Sequence, residues 1–162
     1  FFLPLLGLST ATVSIIGQNY GAKQYERVLE TYKKGIKIGV IVLSVLGLII
    51  FLTADIAMNL FTNNENVKQY GSDYLKISAL MFPAFPFFFI GNATFQGLKK
   101  AIIVMYMAIM RFVLMPFVLV SIIFYQVGEN YNVIFFSLAI MHWIIGLSYY
   151  YYCNKKYKTI LN

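Results

Sequence analysis

Charge is scarce in this chain. Of its 162 residues only 12% are charged, about half of the roughly 25% usual in soluble domains. Too few polar side chains remain to cover a surface in water, which excludes an ordinary soluble domain. Acids are scarcer still, six Asp and Glu against thirteen Lys and Arg. One histidine, His142, and one cysteine, Cys153, complete the reactive inventory. An internal disulfide is therefore excluded, and no resident metal or other cofactor is expected. Catalysis needs two or three converging reactive groups, so an enzyme is not expected either. The absence of a Gly-rich phosphate loop argues against ATP-driven pumping by this chain.

Apolar residues fill the space that charge leaves. Hydrophobic types make up 60% and aromatics 18%, with a mean hydropathy of +0.72. A bilayer core of about 30 Å needs roughly 20 helical residues. Stretches 35–54, 77–97, 101–126 and 131–153 are long enough, and 1–17 reads as a fifth span cut short. These predict an all-α, polytopic integral membrane bundle of about five transmembrane helices. The chain opens without Met in an apolar run, with no basic region ahead and no cleavage site behind. A signal peptide is not expected, and a longer parent polypeptide is.

The net charge of +7 is informative through its placement. Lys23, Arg27, Lys33 and Lys34 follow the first span, Lys99 and Lys100 the third, and Lys155, Lys156 and Lys158 the last. The alternate connections hold Asp55, Glu65, Lys68 and Asp73 in one case and Glu129 in the other. By the positive-inside rule the first set is cytoplasmic, and so is the C-terminal tail 154–162. Multi-pass residence in the plasma membrane is the expected localisation. No basic face carries interleaved aromatics, so nucleic acid is not an expected partner. Gly97 and Gly128 mark tight turns between antiparallel neighbours. Residues 63–70 carry the Asn caps and apolar spacing of a short interfacial helix. Tyr149 to Tyr152 suit an aromatic belt at the inner interface.

From Gly7 a small-residue helix, Gly-Leu-Ser-Thr-Ala-Thr-Val-Ser-Ile-Ile, runs into a turn, Gly17-Gln18-Asn19-Tyr20-Gly21-Ala22, and then a basic amphipathic connection. This resembles the second helix of a lobe in the multidrug and toxic compound extrusion (MATE) transporters. Asn64-Glu65-Asn66-Val67 with Asp73-Tyr74-Leu75-Lys76-Ile77 is similar to the approach to their tenth helix. Phe95-Gln96-Gly97 looks like that helix's end, and Arg111 with Pro116 resembles an Arg and Pro of the eleventh. The resemblance implies helices eight to twelve of twelve, a partial C-terminal lobe over 1–162 that is half of a two-lobe transporter. It departs at Lys23, where many members carry another Gly. Some members also embed a carboxylate in the tenth helix, and 77–97 contains none.

In function, the resemblance implies a secondary antiporter that exports organic cations and drugs against Na+ or H+. The coupling-ion site is expected in an N-terminal lobe of the same longer polypeptide. The alternative is a lipid-linked oligosaccharide flippase of the same superfamily. Few bases at membrane depth, Arg111 and Lys37, weigh against it. A non-transporting assembly subunit is the third reading.

Pro83 and Pro86 each remove a backbone donor and predict a kink in the third span. Helical spacing aligns Phe82, Phe85, Phe89, Asn92 and Gln96 on one stripe, suited to a cavity for hydrophobic cations. Rings attract positive charge, and amides fix orientation. Ordinary core packing is the alternative for the same stripe. The small residues of 7–14 suit close helix approach, or an interface along which one lobe rocks on another. Arg111 lies inside an apolar span, roughly 22 Å inward of Gln126 at about 1.5 Å per residue. Its expected part is a structural or gating-side anchor that snorkels to the cytoplasmic face, with substrate contact as the alternative. His142 reads as a buried histidine satisfied by a backbone carbonyl, with proton sensing as the alternative.

Overall fold

The computed structural model describes residues 2–114, 116, 117, 120 and 131–161. Phe1, Gln126, Gly128 and Glu129, and with them most of the second half of the span expected over 101–126, lie outside the described residues. Within them every element is a helix and no strand occurs. The elements are α1 (Leu3–Gly21), α2 (Tyr25–Phe61), α3 (Glu65–Ala79), a 3-10 turn (Phe82–Ala84), α4 (Phe85–Gly97), α5 (Ala101–Ile109), a π turn (Met110–Leu114) and α6 (Tyr131–Leu161).

Three helices among the described residues are long and apolar enough to cross a membrane. They are Tyr25–Phe61, the run Glu65–Gly97 and Asn132–Tyr157, with Ala101–Val113 a shorter apolar helix. At about 1.5 Å per residue, α2 is roughly 55 Å long and overreaches a bilayer core. Its first turns are the basic connection, with Glu30 and Lys34 paired at 2.7 Å. One side of α2 is buried through Val28, Tyr32, Gly35, Leu43 and Ala54. The other exposes Ile41, Val45, Leu48, Leu52 and Ile56. A helix apolar all round needs a protein neighbour on one side and lipid on the other.

α4 is the centre of the bundle, packing against α1, α2, α5 and α6. Glycine allows the closest approaches. A Cβ on Gly97 would stand 2.8 Å from Ile16 Cγ2 and 2.9 Å from the Val13 carbonyl oxygen, and one on Gly39 would stand 2.8 Å from Pro86 Cβ. Such spacing excludes any side chain and brings the backbones together, which is how helices associate where no water drives them. Ser9 Oγ donates to the Phe89 carbonyl at 3.3 Å, joining α1 to α4.

The kink expected at the two prolines is present as a break between α3 and α4. Ala84 N–H turns back to the Met81 carbonyl at 2.9 Å, leaving the Leu80 carbonyl without its helical donor. Trp143 Nε1 of α6 supplies one at 2.9 Å. A freed carbonyl in an apolar setting needs a partner, and the only tryptophan in the chain provides it.

Gly17-Gln18-Asn19-Tyr20-Gly21, read in the sequence as a turn, forms the last turns of α1, and the chain reverses only after Ala22. The left-handed residue is Lys23, with φ of 58°. The 97–100 turn repeats this geometry, with Lys99 also at 58°. Gln24 N–H reaches the Asn19 carbonyl and Lys100 N–H the Phe95 carbonyl, both at 2.8 Å. This is the Schellman closure, in which glycine is the usual left-handed residue. Asn64 caps α3 as its sequence suggests, accepting from Asn66 and Val67.

Candidate functional site

The residues brought together on α4 form an aromatic cluster around a cation. The Arg111 guanidinium carbon lies 4.3 Å from the Phe88 ring centroid, 5.5 Å from Phe112, 5.9 Å from Phe85 and 6.0 Å from Phe89. A face-on guanidinium is attracted by the ring quadrupole, by about 2 kcal/mol where water is excluded. Phe88 is fully buried, Phe85 nearly so, and Arg111 and Phe89 are half-buried. Phe2 closes one side, with centroids 5.0 Å from Phe85 and 6.1 Å from Phe89. Arg111 therefore points toward the first turns of α4 and away from the lysine-bearing end to which snorkelling would have taken it.

The π turn carries Arg111. Its wider loop interrupts the α geometry of α5 just where the side chain must reach α4, and such turns are frequent at functional positions. Pro116, the other half of that sequence pair, is exposed. None of the ion pairs among the described residues involves Arg111.

The stripe inferred from spacing is only partly one surface. Phe85 is buried, Phe82, Phe89 and Asn92 are half-buried, and Gln96 is exposed at the end of the helix. The Asn92 side-chain oxygen is buried with no hydrogen-bond partner among the described residues, and so is the Tyr149 hydroxyl. Tyr149 packs its ring on Phe88 at 4.9 Å. Sequence reasoning placed Tyr149 in an interfacial belt and passed over Phe88. Heptad-like counting from Tyr149 through His142 would have shown that both face α4. Of the four tyrosines, Tyr150, Tyr151 and Tyr152 have the outward exposure a belt requires, and Tyr149 is buried.

His142 Nδ1–H donates to the Leu138 carbonyl at 2.9 Å, and its ring stands edge-on to Phe85 at 5.4 Å. Behind Tyr149, an apolar crevice of about 680 Å³ opens between α5 and α6, lined among others by Met107, Met110, Met141, Tyr149 and Tyr152. Methionines give such a wall an adaptable shape. At the far end Lys76 bridges both Asp55 oxygens at 2.9 and 2.8 Å, and Ser72 donates to the same carboxylate. That cluster ties α2 to α3. Gly17 and Gln18 lie at the opposite end, Gln18 donating to Ser14 Oγ at 3.3 Å.

Helices long and apolar enough to cross a membrane, packed around aromatic, amide and guanidinium groups, define a multi-pass membrane bundle. The chain belongs to the MatE family, which it matches over residues 1–122. No curated protein matches it. It is similar to the inward-facing conformation of a multidrug resistance MATE family transporter of the MOP superfamily, with a TM-score of 0.90 and 21% identity, over 98% of this chain and 37% of that one. The outward-facing conformation of such a transporter gives 0.89 and 21%, over 98% and 36%. A MOP superfamily transporter from Pyrococcus furiosus gives 0.90 and 21%, over 99% and 36%. This chain thus spans little more than a third of the length of these structures.

Proposed function

We propose that this chain is the C-terminal lobe of a secondary transporter that exports organic cations and similar amphipathic drugs in exchange for Na+ or H+. The observation that carries the reading is the aromatic surface of α4, which already holds a guanidinium face-on. A surface that stacks one cation has the polarity to stack others, and the unpartnered Asn92 oxygen beside it adds an acceptor for a substrate N–H. The near-equal likeness to inward-facing and outward-facing conformations supports a lobe that moves as one body during alternating access. No acid lies in 77–97, so the coupling carboxylate belongs to the lobe that completes the transporter. The basic ends of α1, α4 and α6 face the cytoplasm in this reading, which places the C-terminus inside.

The test is efflux of a fluorescent organic cation from cells that carry the complete transporter. Phe89→Ala and Asn92→Ala are expected to slow efflux severalfold at unchanged membrane insertion. Unaltered efflux in both would remove the α4 surface from the transport path. A second reading, flipping of lipid-linked oligosaccharides, is favoured by one observation, the absence of an ion pair at Arg111 among the described residues. It predicts competition by anionic headgroups where the first predicts competition by cations.

A further inference from the structure

We propose that Arg111 is a built-in occupant of the organic-cation site, held in the cage of Phe85, Phe88, Phe89 and Phe112 until a flat, delocalised cation displaces it. The inference rests on the cation-export reading and gives it a substrate class and a gate.

Four observations carry it. The guanidinium lies over the Phe88 face at 4.3 Å, with three further rings within 6.0 Å, the range in which ring quadrupoles attract a cation. The described acids that form ion pairs are engaged elsewhere, Glu30 with Lys34, Glu65 with Lys68 and Asp55 with Lys76. Arg111 is therefore held chiefly by rings, an attraction that any cation of like shape can replace. The side chain projects from a π turn, Met110–Leu114, which differs from α geometry by one residue per turn. Relaxing it to α would swing Arg111 about 100° around the helix axis and off the rings. Finally, Asn92 is four residues beyond Phe88 on the same helix, its oxygen buried and unpartnered, placed to accept an N–H that Arg111 does not supply.

The cage thus carries a resident cation of its own, and incoming cations compete with it. Removing that competitor should tighten binding, whereas removing a structural anchor should weaken it. The opposite signs make the two readings separable.

The experiment measures binding of benzamidinium, a flat amidinium, to the complete transporter in detergent micelles by calorimetry. Arg111→Met keeps the bulk of the side chain and removes the charge, and is expected to bind about tenfold more tightly, the size of one displaced cation–ring contact. Arg111→Lys, which restores a competing cation, should stay within about threefold of the parent. Equal or weaker binding by Arg111→Met, with insertion and thermal stability of the parent, would overturn the proposal. Should Arg111→Met fail to insert, Phe112→Trp leaves Arg111 in place at a position that is 71% exposed. Its added tryptophan emission should shift and saturate with benzamidinium, and no shift would overturn the proposal equally. If cation efflux persists while Arg111→Met binds no tighter, only the occupant inference falls. If neither efflux nor binding occurs in any variant, the cation-export reading falls with it.

Discussion

The two sides of α4 are built on different terms. Toward α1 and α2 its neighbours come as close as backbones allow. Gly97 sits against Ile16 and Val13, and Gly39 against Pro86, with Thr12, Ile16 and Leu43 buried along the seam. Toward α5 and α6 contact is made through long, deformable side chains. Arg111 rests on rings, Met107 is the buried residue of α5, and a crevice of about 680 Å³ separates the two helices. Close backbone packing fixes a frame, because nothing in it can yield without a clash. Contacts through Arg and Met can be remade at small cost. The first side therefore sets the shape of the bundle, and under the proposed function the second is where a solute enters it.

This contrast can be broken by substitution. Gly97→Val should do the greatest harm, because its Cβ meets a backbone carbonyl that cannot move, with about 3 kcal/mol lost. Thermal unfolding in detergent would register it, and a loss below about 1 kcal/mol would mean that the frame is softer than its geometry. Trp143→Phe comes next. It strips the Leu80 carbonyl of its donor and should cost about 2 kcal/mol, read as a lower unfolding midpoint and faster amide exchange around residues 80–84. On the yielding side, Met141→Leu in the crevice wall should cost less than about 1 kcal/mol while altering which solutes bind. A loss comparable with that of Gly97→Val would show the two sides to be equally rigid. Smallest of all, Lys23→Gly should raise stability by about 0.5 kcal/mol by relieving the left-handed backbone, detectable as a rise in the unfolding midpoint.

Much of the frame was legible in the sequence alone. Long apolar runs between basic clusters announce membrane helices, the Pro83 and Pro86 pair announces a break, and Asn64 announces a cap. These are local signals, written in the residues that execute them. The glycine contacts were less legible, since Gly35 and Gly39 show only that small residues recur every four positions. Which helix they admit depends on the fold. The candidate site was read in part. Spacing along one helix finds Phe85 and Phe89, and a charge in an apolar span singles out Arg111. That they meet depends on the π turn and on the tilt between α4 and α5, which leave no periodic trace. Phe88 and Tyr149 escaped for the same reason, each lying just off the stripe or belt to which counting assigned its neighbours.

Lys23 and Lys99 share a feature with a consequence for biogenesis. Each occupies the one position of its turn where the backbone favours glycine, with φ of 58°, at a conformational cost of about 1 kcal/mol. A lysine beside an anionic leaflet recovers a similar amount, about 1 kcal/mol. In the proposed orientation, with both turns on the cytoplasmic side, they thus exchange local comfort for a topogenic signal. Each loop carries its charge at the bend itself, where it cannot be drawn across the membrane without dragging both flanking helices after it. Glycine at both bends would give a lobe that folds slightly better and is less firmly oriented on insertion.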